Sequence, residues 1–579
     1  VEFDLFTEPW LPVVQHDDGA LTKVGIFEAL VHAGRYRRLV AEAPPVTAAL
    51  HRLLLAVAHR AYGPADTEAW QRLWCSESGL PEDELGEYGT KWAGRFDLFH
   101  PDHPFLQCRS LAIRKGAGTD GEDIDRDFNG VAELVSYRST GSNATLFDHT
   151  PATRRIEIPA DEAARWLVTL MAYDPGGTKT PVSKERKSER GPANYFGCTL
   201  VEGANLHQTL TLNLVPYAVG RAPTAMTTAK DSPLWERDEP SSLEPLPRDP
   251  EGWTDLLTWP SRHALLRARD TDAGPMVYEI VRTPGATLDK KKLPLYELMA
   301  AYRASKPGRR SWQDLKPVKL EPLLGVWRHA VELLLRDNDG DRPTTATRTA
   351  QRSGRATPGV GEVFARRRPA ALTHIADSVA RELIPDHTVY TLRVFGQQLG
   401  KMAATVDAWK EESVPVPVAL LRAHDEDLGE LIGGAVQLAD SLGRALHLLQ
   451  LEYRSSFAPP KRKGERRPEE KARLSLEILY WPRLDAPFGD FLRDLGADLG
   501  DARRRRECCE QWLQTVLGLA DRAAEQWMTA QLRRQRASVA AGAVHAAYGN
   551  RRRTALTTFR RAMDDWIDDA DDEDGEAIG

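Results

Sequence analysis

Apolar residues recur every three or four positions in several stretches of this chain, the spacing of a one-sided helix. Over 46–62, Leu50, Leu53, Leu54, Val57 and Ala61 share a face, and over 156–173 Ala163, Trp166, Leu167 and Leu170 do the same. A further helix is expected over 324–335. Polar–apolar alternation predicts strands over 206–215 (LHQTLTLNLV), 276–281 and 388–394, and 3–14 reads as a strand entering a proline-punctuated turn. The segment 96–107 (FDLFHPDHPFLQ) is aromatic and broken by proline, so it reads as packed loop. Beyond it the Gly/Asp-rich stretch 110–130 and the basic stretch 174–192 read as loops. Residues 337–370, rich in Arg, Thr, Gly and Asp, read as a linker or mobile loop, and 455–470 as an exposed basic connection.

Further on the character changes. Long amphipathic stripes over 425–451, 506–528, 537–548 and 554–567 predict four helices packed as an antiparallel bundle. The expected fold class is α+β: a large irregular mixed α/β N-terminal domain over 1–386, then a C-terminal antiparallel four-helix bundle over 387–563. Residues 564–579 hold nine acids and no base, and are expected to be an acidic disordered tail.

Composition changes this picture in three ways. At 579 residues, 41% hydrophobic and 28% charged, the chain is long enough for roughly two to four domains and is no disordered or collagen-like sequence. Nowhere do about 18 uncharged apolar residues run together, so no membrane-spanning helix is expected. The first twelve residues carry Glu2, Asp4 and Glu8 without the basic start of a signal peptide. With five cysteines giving no disulfide framework, a reducing cytoplasm is expected. Net charge is −7, but removing the acidic end takes residues 1–563 to +2. Four basic clusters then stand out: 179–190, the lysines 290–292 with Lys306, Arg309 and Arg310, the arginines of 342–368, and 461–467. Taken singly, each reads as a solvated face. Together they suit a salt-sensitive polyanion contact.

No enzyme signature survives inspection. Gly116–Gly121 fits GxGxxG, but Glu122-Asp123 follows where a phosphate would sit, and no strand–helix frame surrounds it. Asp174–Thr180 resembles the end of a P-loop, yet its first glycine is missing and Thr178 separates Gly177 from Lys179. His100, His103 and Cys108 lack a second ligand pair at zinc spacing. The vicinal Cys508 and Cys509 cannot both reach one metal from a helix, and 337–341 lacks the spacing of a calcium loop. What the Gly176-Gly177 turn can offer is a backbone bare enough to approach a nucleic acid closely, the alternative being a plain exposed turn. Gln397 and Gln398, between Gly396 and Gly400 and ahead of an expected helix from Met402, carry amides that both donate and accept. They could stand in for a lost base edge, or form a simple strand-to-helix connection.

The order of these segments resembles a known family. Phe6-Thr7-Glu8-Pro9-Trp10-Leu11-Pro12-Val13, then 99–107 (FHPDHPFLQ), then Gly176-Gly177-Thr178-Lys179, Trp259-Pro260 and the C-terminal helices are similar to CasA, the large subunit of type I-E CRISPR Cascade. The resemblance runs over nearly the whole chain. It implies a non-catalytic subunit of an RNA-guided surveillance complex, with no cofactor. Such a subunit recognises the protospacer-adjacent motif (PAM) of double-stranded DNA from the minor groove, promotes duplex opening and R-loop formation, and docks the helicase–nuclease that degrades the target. Its partners would be the other Cascade subunits, the CRISPR guide RNA, the target duplex and that helicase–nuclease, with no membrane. The family's glycine loop falls on Gly176, Gly177 and Thr178, with Lys179 beside them. Its lysine finger falls among Lys290, Lys291 and Lys292, and its glutamine wedge on Gln397 and Gln398, extending to Gly400 and Lys401. A loop that meets the guide-RNA handle would span 132–147, with Tyr137, Arg138 and Asn143 as its polar contacts. Some family members bind zinc near this loop through paired cysteines. This chain has no Cys between Cys108 and Cys198, so no metal is expected. The competing readings are a scaffold that binds protein partners through its helices, and an enzyme whose active site is too dispersed to form a motif.

Overall fold

The computed structural model describes the chain except residues 77, 113–127, 137–155, 181–186, 218–226, 241, 307–310, 322–323, 338–364, 401–404, 423–425, 457–475, 532–534 and 577–579. It begins with a three-stranded antiparallel sheet, β1 (Leu11–Gln15) lying between β2 (Leu21–Val24) and β3 (Tyr36–Leu39). Helix α1 (Pro44–Ala61) follows, with proline in its first turn, where the missing N–H costs nothing. It is buried almost all round, from Pro45 to His59, and so forms the centre of the N-terminal half. Helix α2 (Ala160–Tyr173) packs against it. Next come a two-stranded antiparallel ribbon, β4 (Gly177–Thr178) with β5 (Lys187–Ser188), a 3-10 turn over Pro192–Tyr195, and β6 (Cys198–Glu202).

Helix α3 (Leu206–Asn213) is followed by the long hairpin β7 (Arg262–Thr271) and β8 (Gly274–Pro284). A second long hairpin, β9 (Val389–Leu399) with β10 (Val406–Pro417), pairs through β9 with β6. Helices α4 (Glu426–Ser455), α5 (Asp485–Ala497), α6 (Ala502–Gln531) and α7 (Gln535–Glu576) complete the chain. In that set α4 contacts α6 and α7, α6 contacts α7, and α5 contacts α6. One continuous buried cluster runs from Leu5 to Ile567 through both halves. No described helix is long and apolar enough to cross a membrane.

Several expectations change. The alternating stretch 206–215 is a helix, not a strand. Asn205 caps it, its side chain accepting from the Gln208 amide at 2.9 Å, and the Thr209 and Thr211 hydroxyls donate to carbonyls four residues back. Polar and apolar residues alike are buried there, so the alternation did not mark an exposed face. The strand expected over 3–14 shrinks to its end, and 324–335 splits into a 3-10 turn (Val326–His329) and a short helix (Ala330–Leu334). The helix expected from Met402 gives way, over Val406–Pro417, to the strand β10. Strands β9 and β10, which lie past the boundary expected at 386/387, belong to a sheet that includes β6 of the N-terminal half. The stripes over 537–548 and 554–567 are one helix. Gly549 between them sits where nothing lies within 4 Å of an added Cβ, and a single interior glycine costs only about 1 kcal/mol. Helix α5, absent from the sequence expectation, packs on α6 and on strand β10.

The acidic end is not a free tail at its start. Trp566 and Ile567 are 6% and 2% exposed, and α7 continues to Glu576. The Trp566 ring lies so close to Gly434 of α4 that a Cβ there would meet it at 2.0 Å, and its indole N–H donates to Glu430 at 3.0 Å. An apolar pair inside the acidic run extends the helix's packed stripe, and burial outweighs the charge.

Candidate nucleic-acid interface

The Gly-Gly turn follows directly on α2, whose last residues are Met171, Ala172 and Tyr173. Asp174 comes next and is buried with three cations. Arg262 Nε lies 2.6 Å from one of its oxygens, Lys179 Nζ 2.9 Å from the same oxygen, and Arg282 3.1 Å from the other. These neighbours hold the carboxyl well below its usual range despite its burial. Arg262 also donates to the carbonyls of Pro175 at 3.0 Å and Glu189 at 2.8 Å, so one guanidinium ties both ends of the β4–β5 ribbon. Its five donors in a rigid fork suit it to that clamp. Arg282 reaches on to Glu133 at 3.2 Å. The Asp174 carbonyl accepts from the Gly191 amide at 2.9 Å and the Asn194 side chain at 3.2 Å.

On this footing Gly176 is buried, Gly177 is half-buried with φ +104°, and Thr178 is exposed. A positive φ of that size is costly for any residue with a Cβ, which explains glycine at 177. Lys179 behaves otherwise than a solvent-facing contact. Its side chain is only 7% exposed and its ammonium is turned onto Asp174. Burial, with Arg282 and Arg262 nearby, outweighs Asp174 and brings the amine down to about 8.

The glutamines divide by strand alternation, since adjacent residues of β9 point to opposite faces. Gln397 is half-buried and its amide donates to the Tyr173 carbonyl at 2.5 Å and to Asn194 Oδ1 at 2.7 Å. Gln398 is exposed. Gly400 closes the hairpin end, its amide donating to the Thr405 carbonyl at 2.9 Å. The lysines divide too. Lys292 Nζ is 2.7 Å from Asp249, Lys291 is exposed, and Lys290 lies 5.8 Å from the Tyr195 ring centroid.

Three predicted elements therefore converge on the 3-10 turn Pro192–Tyr195: the glycine turn through Gly191 and Asn194, Gln397 through Asn194, and Lys290 over Tyr195. Lys292 is drawn off toward Asp249. Lys401, Tyr137, Arg138 and Asn143 lie outside the described residues. Arg262, Arg282, Asn194 and Tyr195, which assemble the site, carried no sequence signal. Arg262 and Arg282 stand far along the chain from the Asp174 they hold, and Asn194 and Tyr195 sit in an unmarked turn.

Arg262 also borders a cavity of about 300 Å³, lined by Phe105, Trp235, Leu246, Cys108 and His263 among others. Cys108 Sγ and His263 Nδ1 are 3.2 Å apart there. Burial pushes the thiol up to about 12 and the imidazole down to about 4, which makes them a neutral pair and not an activated nucleophile. Among the described residues no group of three or more His, Cys, Asp or Glu could hold a metal ion.

Known proteins carry this architecture nearly end to end. The chain matches the family model described as CRISPR-associated protein Cse1 over residues 4–523. It is 30% identical to CRISPR-associated protein CasA/Cse1 of Thermus thermophilus over 536 residues, 89% of this chain and 92% of that protein. The crystal structure of CRISPR-associated protein Cse1 from Acidimicrobium ferrooxidans superposes with a TM-score of 0.72 at 26% identity, covering 98% of this chain and 99% of that one. A chain of a CRISPR RNA-guided surveillance complex shares the fold at a TM-score of 0.67 and 19% identity, covering 96% and 99%. Fold and sequence together define a CRISPR-associated protein. The chain belongs to the Cse1 family, also called CasA.

Proposed function

We propose that this chain is the large subunit of a CRISPR RNA-guided surveillance complex of the Cascade type, working in the cytoplasm. It recognises the PAM of double-stranded DNA from the minor groove, where readout is degenerate and several motifs are tolerated. The observation that carries this reading is the convergence on Pro192–Tyr195 of a side-chain-bare turn, a turn of lysines and a polar strand end. Gly177 and Thr178 meet the groove floor, the exposed Lys291 reaches in beside them from the turn that begins at Lys290, and Gln398 stands at the hairpin end as the wedge. Lys179 and Gln397 position that surface from beneath. Unstacking the first base step costs a few kcal/mol, and binding plus guide pairing supply it, with no nucleotide hydrolysis by this subunit. The helices α4 to α7 form the bundle that offers protein partners, the helicase–nuclease among them, a large surface. The segment 132–147 meets the guide-RNA handle.

The test uses the complex assembled with guide RNA and a PAM-containing duplex. Gly177→Val should cut PAM-duplex affinity at least tenfold and leave assembly intact. Unchanged affinity would remove the close-approach argument and favour a scaffold that touches DNA only incidentally.

A further inference from the structure

Tyr195 ends the 3-10 turn on which the site converges, and three cations surround its ring. The Arg190 guanidinium carbon is 4.4 Å from the ring centroid, Lys290 Nζ 5.8 Å and Lys319 Nζ 6.0 Å. They come from three separate segments: the residues after β5, the 3-10 turn Lys290–Lys292, and the chain just past the short strand Leu315–Pro317. Along the sequence Arg190 and Lys290 fall in different basic clusters, and Lys319 lies outside all four.

Among the described residues, none of the three has a carboxylate within ion-pair distance. That sets them apart from their neighbours: Lys292 has Asp249, while Lys179, Arg262 and Arg282 share Asp174. Glu189, next to Arg190, is engaged in accepting the Tyr195 hydroxyl at 2.8 Å. The ring face gives the cations a modest attraction, and Glu189, one carboxylate against three cations, leaves positive charge in excess. Lys319 responds to this crowding. Its amine is held below the usual lysine range, by burial first and then by Arg190 and Lys290. Like charges so placed repel one another, and a bound anion would relieve them together.

We propose that Arg190, Lys290 and Lys319 form one seat for a single backbone phosphate of the target duplex, beside the turn that meets the minor groove. The proposal rests on the functional reading above and adds to it a contact that positions the duplex without reading bases. The chemistry fits a phosphodiester, whose two free oxygens match the guanidinium fork while the lysines act as point charges on the same group.

The experiment is a salt titration of duplex binding by the assembled complex, with PAM and non-PAM duplexes. Each phosphate neutralised contributes about 0.9 to the slope of log affinity against log salt. The combined change Arg190→Gln, Lys290→Gln and Lys319→Gln should lower the slope by about 0.9, one phosphate's worth. Lys319→Gln alone should lower it by no more than that, equally on both duplexes, and Lys319→Arg should retain it. A combined loss near 2.7, as for three separate phosphates, would overturn the shared seat, and so would an unchanged slope. Failure of the functional reading looks different: wild-type complex that binds PAM and non-PAM duplexes equally would refute PAM recognition, with the slope still deciding the seat. Wild-type complex that binds no duplex would sink both.

Discussion

The glycine-turn site and the C-terminal helices are held together by opposite means. Beneath the turn, a buried carboxylate and three cations do the fastening, through Asp174, Lys179, Arg262 and Arg282. At the junction with the helices the fastening is aromatic. Trp327 projects from the N-terminal half into a nest of rings, with centroids 4.6 Å from Phe488, 6.0 Å from Trp512 and 6.4 Å from Trp481. Its indole N–H donates to Asp485 at 2.8 Å. A ring nest gains from area removed from water and tolerates sliding. An ion-pair clamp gains little net stability but fixes direction, because desolvation offsets most of its attraction and only good geometry restores it. The difference teaches where the molecule needs position and where it needs cohesion: the exposed turn is aimed, and the junction is glued.

The sharpest way to break this contrast is Trp327→Ala. It should cost about 3–5 kcal/mol in urea unfolding while the salt slope of DNA binding in the surviving folded complex stays unchanged. A changed slope would mean the junction also aims the site. Asp174→Asn should cost less, about 3 kcal/mol, by stranding buried cations, yet it should abolish discrimination between PAM and non-PAM duplexes. Retained discrimination would show that the clamp is dispensable.

The glutamines come next. Gln397→Ala should lower stability by about 1 kcal/mol through its lost bonds to Tyr173 and Asn194. Gln398→Ala should leave stability alone and slow R-loop opening, read by strand-separation kinetics. The reverse assignment would refute the division made by strand alternation.

The smallest effect concerns pH. Lys179 titrates near 8 in the folded chain against 10.5 for the free side chain, so the unfolded chain binds more protons between those values. The stability difference between wild type and Lys179→Met should therefore shift in favour of wild type as pH rises from about 8 to 10.5. Below that window the buried ammonium carries its full penalty. A flat difference would place Lys179 in water. Asp174 acts in the acid range, its contribution present above the ordinary carboxylate value and lost as pH falls below it.

Much of the helical architecture was legible. The apolar stripes Leu50–Ala61, Leu428–Leu449 and Trp512–Trp527 lie within helices of the structure, because one-sided burial of a long helix writes itself at a spacing of three to four. The short helix α3 was not legible, since burial on every side leaves no stripe. The break expected near Gly549 was a local signal overruled by packing of α7 on α4. Of the candidate site, the Gly-Gly turn was readable, and at Gly177 a positive φ demands glycine. Lys179 and Gln397 were readable as polar residues in the right neighbourhood but not as inward-facing ones.

Residue chemistry and local geometry were therefore settled along the chain itself: which segments coil, where a side chain must be absent, and which stretches carry positive charge. Only the folded molecule decided which cation meets which carboxylate. Arg262 finds Asp174 across 88 residues, whereas Arg190, Lys290 and Lys319 gather on one tyrosine and form no ion pair among the described residues. Electrostatic pairing depends on distance in space and on exclusion of water, and neither is a property of any one stretch of sequence.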